Sequence, residues 1–313
     1  MTVALVAMSH SPLLDYVEPP ADVKKAVEDS FAAVSKFAKD FDPDIVVNIG
    51  PDHYNGFFYD IMPPFAVGYA ATAVGDFGTH EGPLNVPSDD ADSLIRSLME
   101  QDLDVTVSWT MEVDHGAVQP MELMFGEVTA KPVIPVFINA VATPFVPIRR
   151  IRKLGEAIGN WAKVQNKKVL IIGSGGLSHE PPVPQLATAD EATRAALLGG
   201  GRHLTPEARK ARTDRVINAA KDFAAGVGNV KPLAPEWDQE LMEILASGDL
   251  SPLDKWTPEE MAEIAGNSSH EVRTWIAAYA ALGQCGKYEV VYSFYKAIPE
   301  YIAGFGVTAA RLV

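Results

Sequence analysis

IVVNIGPDHYNGFFYD, residues 45–60, decides how this chain is read. Ile45 to Ile49 is a short apolar run stopped by Gly-Pro, the signature of a buried strand. The turn that follows holds more than a turn requires. Gly50, Pro51 and Asn55-Gly56 suffice to redirect the backbone, yet Asp52 and His53 stand among them. In an open α/β sheet, ligands bind in the crevice beyond the carboxyl ends of the strands. A histidine at that place needs a reason other than turn formation.

The same organisation extends in both directions. Val3 to Met8 reads as a first buried strand. Val23, Val27, Phe31, Val34 and Ala38 recur every three or four residues, which predicts a helix over 20–41. Residues 89–100 read as a helix with Ser88 as N-cap. Val105 to Trp109, Val133 to Ile138 and Val169 to Ile172 read as further strands, with a helix over 148–164 between the last two. Strands alternating with helices predict an α/β fold, with a mostly parallel central sheet and helices on both faces. From about 188 to 266 the texture becomes helical, with Thr205-Pro206 and Thr257-Pro258 as helix-start signals. We read this stretch as a helical insertion within a single domain spanning 1–313. Another helix is expected over 268–282, then a β segment and a short closing stretch.

Composition narrows the function. A net charge of −15 opposes binding to nucleic acid or to anionic membranes. An anionic substrate would need cations gathered locally. The single cysteine, Cys285, precludes an intrachain disulfide, fits a reducing cytoplasm and reads as a small core residue. No run is long enough to span a bilayer, and the apolar start lacks the features of a signal peptide.

Of the 7 histidines, His10, His53, His115 and His179 each follow a predicted strand. Together they suggest one pocket and a metal. Two histidines and a carboxylate would make the facial triad of non-haem iron(II) oxygenases; the same set around zinc would support hydrolysis. Asp52, Asp114 and Glu271 each neighbour a histidine and are the carboxylate candidates. Ser268-x-x-Glu271 also has the spacing of a capping box. Asp114 reads either as a turn residue or as a group orienting an imidazole. His80 and His203 lack the strand-end context and read as loop residues. GSGG (173–176) matches no phosphate-loop pattern, and its glycines read as a tight turn toward His179. Tyr54, Phe57, Phe58 and Tyr59 could pack an aromatic ligand or simply the core.

MSHSPL (8–13), PDHYNGFFYDIMPPF (51–65), VDHGAVQP (113–120), PVFINAVATP (135–144), GSGGLSHEPPVP (173–184) and AGNSSHEVRTW (265–275) resemble, in the same order, the class III extradiol ring-cleaving dioxygenases. The resemblance covers essentially the whole chain. It implies a mononuclear Fe(2+) centre held by His10, His53 and Glu271. It implies that His115 is the proton donor and His179 the proton acceptor. It implies that O2 and a catechol are the substrates, and that the chain is a homo-oligomer. A catechol with a short carboxylate side chain would need a cation, for which Arg149, Arg150 and Arg273 are candidates by chain position only. A zinc hydrolase on the same residues and a non-catalytic binding protein are the competing readings; an acid–base pair would be superfluous in the latter.

Overall fold

The computed structural model describes residues 2–202 and 204–313; His203 lies outside the described residues. In chain order the elements are β1 (Val3–Met8), α1 (Ala21–Phe41), β2 (Ile45–Gly50), β3 (Phe65–Gly68), β4 (Ala71–Val74), β5 (Glu81–Pro83), α2 (Ser88–Glu100), β6 (Thr106–Ser108), β7 (Met111–Val113) and α3 (His115–Phe125). There follow β8 (Val133–Ile138), α4 (Ile148–Ala162), β9 (Val169–Ser174), α5 (Glu191–Ala195), α6 (Pro206–Ala224), α7 (Pro235–Ser247), α8 (Pro258–Ala265), α9 (Val272–Cys285), β10 (Tyr288–Ile298) and β11 (Ala303–Leu312).

The large sheet has 8 strands in the order β10-β11-β1-β9-β2-β8-β3-β6. Its centre is parallel, as expected: β1 with β9, β9 with β2, and β2 with β8. Its flanks are not. β11 runs antiparallel to β1 and β10, and β3 runs antiparallel to β8, so the sheet is mixed. The C-terminal end is a long hairpin, not a strand with a short closing segment. A 3-10 turn at Pro299–Tyr301 brings β11 straight back beside β10, and a hairpin return is necessarily antiparallel. The predicted strand 105–109 survives only as Thr106–Ser108 at the sheet edge. β5, β4 and β7 form a separate small sheet.

Successive side chains on a strand point to opposite faces, so each central strand feeds two cores. On β1, Val3, Leu5 and Ala7 enter the layer shared with α2, α4 and α9, while Ala4, Val6 and Met8 enter the layer shared with α1 and α3. β2 alternates likewise, except at buried Asn48. Its side-chain amide donates to the Ala117 carbonyl at 2.7 Å, which ties the start of α3 to the sheet. On α1 the residues at helical spacing, Val23, Val27, Val34 and Ala38, are buried as their period predicts. Ser88 does not cap α2; it is the first helical residue, behind Pro87, and makes no side-chain cap bond. Thr205 and Thr257 do cap, the latter in a full capping box with Glu260. The 188–266 region is helical as expected, carrying α5 to α8. Among the described residues no helix is long and apolar enough to cross a membrane.

Helices α4 and α9 cross at small residues. A Cβ on Gly155 would lie 2.1 Å from the Ala277 carbonyl oxygen, and one on Gly159 would lie 2.3 Å from that of Ala281. Backbone cannot yield as a side chain can, so the crossing distance is set by these glycines. Gly155→Ala is expected to destabilise the fold by about 1–3 kcal/mol, read as a lower urea midpoint at an unchanged slope.

Candidate active site

The cleft forms where the central strands end. β1, β9 and β2 are adjacent, and the chain leaves them toward His10, His179 and His53 respectively. His115 arrives differently. It is the first residue of α3, after β7 of the small sheet, not after the edge strand at 106–108. All four imidazoles line one cleft with Glu271.

Each imidazole is oriented by an oxygen at Nδ1. His53 Nδ1 lies 3.0 Å from Asp114 Oδ2, His115 Nδ1 lies 2.6 Å from Asp76 Oδ2, and His179 Nδ1 lies 2.9 Å from the Leu177 carbonyl. His10 Nδ1 lies 3.0 Å from Ser174 Oγ. That hydroxyl spends its own hydrogen on the Gly116 carbonyl, so it accepts from His10. Carboxylates and carbonyls only accept, so Nδ1 carries the hydrogen in each ring. Nε2 is then a bare lone pair in every neutral ring.

Three of these lone pairs converge on one carboxylate. Glu271 Oε1 is 3.0 Å from His53 Nε2 and 3.1 Å from His179 Nε2; its Oε2 is 3.4 Å from His10 Nε2. Acceptors facing acceptors at such distances need a cation between them, either a proton or a metal ion. The titration behaviour tells the same story. Burial alone would lower His53 and His179, but Asp114 and Glu271 outweigh it at His53, as does Glu271 at His179, and both are raised. Burial would raise Glu271, but the histidines hold it well below the usual carboxylate range. His10 is pushed down to about 3, chiefly by burial, and is neutral. Nitrogen and oxygen donors on separate elements, each braced from behind, fit a divalent metal. His10, His53 and His115 also lie within 4.8 Å of one another through their ring nitrogens. That grouping shares two residues with the His10, His53, Glu271 set. Glu271, unlike His115, would bring a negative charge to a divalent ion.

Glu271 reaches this position through close backbone approach. It ends a 3-10 turn, Asn267–Glu271, that leads into α9. No side-chain cap bond is made there, so the capping-box reading of Ser268-x-x-Glu271 does not hold. Gly176 N donates to Glu271 Oε2 at 2.8 Å. A Cβ on Gly175 would sit 2.6 Å from the Glu271 carbonyl oxygen, and one on Gly176 would sit 2.7 Å from the His179 ring. GSGG is therefore the seat for this turn, which agrees with its reading as a tight turn and not a phosphate loop.

The opening stretch is also explained. Asp52 accepts from the backbone N–H groups of Asn55, Gly56 and Phe57 and folds the loop. Burial first, and the nearby Asp114 carboxylate next, push Asp52 up to about 7. Asp114 orients His53 and not its neighbour His115; it also accepts from His53 N and caps α3 through Gly116 N. Its carboxyl is held well below the usual range, because the two imidazoles and these hydrogen bonds override burial.

Alternatives that the sequence left open are decided here, the aromatics in favour of core packing. Tyr54, Phe57, Phe58 and Tyr59 do not line the cleft. Phe57 stacks on Phe137, Tyr54 on Tyr59, and Phe58 lies under Arg202. Arg149, Arg150 and Arg273 do not line it either. Arg273 is buried, donates to the Val146 carbonyl and covers Phe145. The apolar lining comes instead from Leu13, Phe77, Pro181, Pro182, Val183, Val216 and Tyr301, with Arg212 and Arg215 as its cations. Asp76, Ser174 and these arginines were not singled out from the sequence. Asp76 meets His115 across 39 residues, and no local spacing signals it.

Comparison with known proteins agrees with this chemistry. The 2,3-dihydroxyphenylpropionate/2,3-dihydroxicinnamic acid 1,2-dioxygenase of Rhodococcus globerulus is 56% identical over 312 residues, covering 100% of this chain and 99% of that protein. The enzyme of the same name from Mycolicibacterium gilvum is 53% identical over 308 residues, covering 98% of each. The crystal structure of an uncharacterized protein from Escherichia coli K12 superimposes with a TM-score of 0.50 at 13% identity, covering 97% of this chain and 98% of that one, and so shares the fold. Residues 4–306 match the family described as the catalytic LigB subunit of aromatic ring-opening dioxygenase. The chain belongs to that family and is a ring-opening dioxygenase.

Proposed function

We propose that the chain opens the ring of 2,3-dihydroxyphenylpropionate, and of 2,3-dihydroxycinnamate, with O2 beside the catechol hydroxyls, yielding a 2-hydroxy-6-oxo-diene dicarboxylic acid. Relatives matching over the full chain carry those two compounds in their names. The observation that carries the reading is the convergence of the Nε2 lone pairs on buried Glu271. We read residues 1–313 as one catalytic domain, cytoplasmic and homo-oligomeric.

His10, His53 and Glu271 would hold Fe(2+). Iron(II) there would supply adjacent open positions for catechol and O2 and a route for electrons between them. The protein's own residues manage protons and water. The Nδ1–H of His179 is committed to a peptide carbonyl, so the proton it exchanges with a catechol hydroxyl is the one at Nε2. His115 has an anionic partner, Asp76, behind Nδ1, so its ring can carry a second proton and deliver it from Nε2 as the ring opens. Phe77 packs edge-on against His115 at 5.1 Å between centroids and keeps water from that face. A zinc hydrolase would use the same donors, but nothing in the cleft favours it.

The test is O2 uptake by anaerobically Fe(2+)-loaded protein given 2,3-dihydroxyphenylpropionate, with a yellow product appearing in step. Uptake without colour, or neither, removes the reading. Separate roles for the residues have separate signatures. His115→Gln and His179→Gln should keep their iron and lose about 10²–10⁴-fold in kcat, whereas Glu271→Ala should lose the iron itself. Iron lost from the His115 variant and kept in the Glu271 variant would exchange the third ligand. Asp114→Ala should weaken metal retention about 10–100-fold, measured by competition with a chelator, because it frees the His53 ring.

A further inference from the structure

The cleft carries two positive side chains that the ring-opening step does not use. Arg212 and Arg215 of α6 are three residues apart, hence on one helix face, and both line the cleft beside the histidines. Arg212 is occupied. It donates to the His53 carbonyl and, at 3.5 Å each, to the Tyr54 carbonyl and Asn55 Oδ1. Its task is to hold the loop that bears His53. Arg215 has no such task. The influences on it are partial burial and the positive charge of Arg212, and among the described residues no carboxylate pairs with it. A guanidinium offers five donors in a planar fork suited to a carboxylate. In a chain of net charge −15, two adjacent arginines that face the cleft and, among the described residues, make no salt bridge form the local positive field that an anionic substrate needs. Around them Val216, Pro181, Pro182 and Val183 offer an apolar wall for a ring and a short aliphatic chain.

We propose that Arg215 receives the side-chain carboxylate of the substrate, with Arg212 beside it, and so sets the preference for catechols bearing an anionic side chain. The inference rests on the proposed ring-opening reading. The helical insertion thereby supplies specificity to a site whose chemistry lies at the strand ends.

The test compares kcat/KM for 2,3-dihydroxyphenylpropionate with that for 3-propylcatechol, which has the same chain length and no carboxylate. It uses the Fe(2+)-loaded full-length protein and its Arg215→Met and Arg215→Lys variants. In Arg215→Met the preference for the carboxylate should fall about 10–100-fold, the loss of a charge-assisted hydrogen bond, and it should fall through KM and not kcat. Arg215→Lys should give an intermediate preference, since an ammonium keeps the charge but not the fork. An unchanged preference in Arg215→Met overturns the proposal; should that variant not fold, an unchanged preference in Arg215→Lys does so. Wild-type protein that cleaves neither catechol would overturn the ring-opening reading itself, a result separable from the first because it needs no variant.

Discussion

The structure turns on one buried negative charge. Glu271 is 1% exposed. A carboxylate in that position costs several kcal/mol unless it is paired and hydrogen-bonded. Its compensation comes from the Gly176 N–H and from the rings of His53 and His179, whose affinity for a proton is raised beside it. Gly176 and His179 share the stretch after β9 while His53 follows β2, so the backbone must bring these segments and the turn before α9 together. The adjacency of β1, β9 and β2 supplies the histidines. Gly175 and Gly176 let the turn before α9 come close enough to present the carboxylate. The α4–α9 glycine crossing and the two apolar layers hold α9 where that turn must end.

The oxygens behind the imidazoles are as informative as the imidazoles. By taking the Nδ1 hydrogens they fix which nitrogen faces the cleft, and so turn rings into donors of lone pairs. Asp114 does this while capping α3, so the helix that begins at His115 and the ring of His53 share one anchor. Asn48 adds a second tie between β2 and α3. Orientation of His115 and of His53 is therefore coupled through a few buried polar groups. In low dielectric such groups are favourable only when every member is satisfied.

Much of this was legible in the sequence because it is periodic or local. Apolar runs ended by Gly-Pro or Gly-Ser mark the buried strands, and the heptad-like spacing of α1 marks its buried face. Threonine followed by proline marks α6 and α8. The four histidines and Glu271 stand in motifs that resemble a known family, and the cleft brings them together. The failures have a common cause. The antiparallel flanks follow from how a hairpin returns, which strand composition does not encode. The sequence leaves open whether Tyr54 to Tyr59 pack a ligand or the core, because the choice depends on residues far along the chain such as Phe137. Asp76 and Ser174 act through contacts between distant segments. Arg212 and Arg215 look, in sequence, like any solvated helix charge; only the docking of α6 over the strand ends distinguishes them.

That docking separates two kinds of work. The strand ends hold the groups proposed to bind a metal and move protons, and these follow strands at the centre of the sheet. The wall that meets the rest of the substrate comes from the Pro181–Pro184 stretch and from α6, both outside the sheet. Changes in α6 can alter charge or shape at the cleft without moving the Nδ1 partners that fix the imidazoles. The tie from Arg212 to the 53–55 loop limits this freedom, since it joins α6 to a metal-ligand candidate. Arg215, three residues on and without such a tie, is the position at which side-chain preference can change while the lone pairs on Glu271 stay as they are.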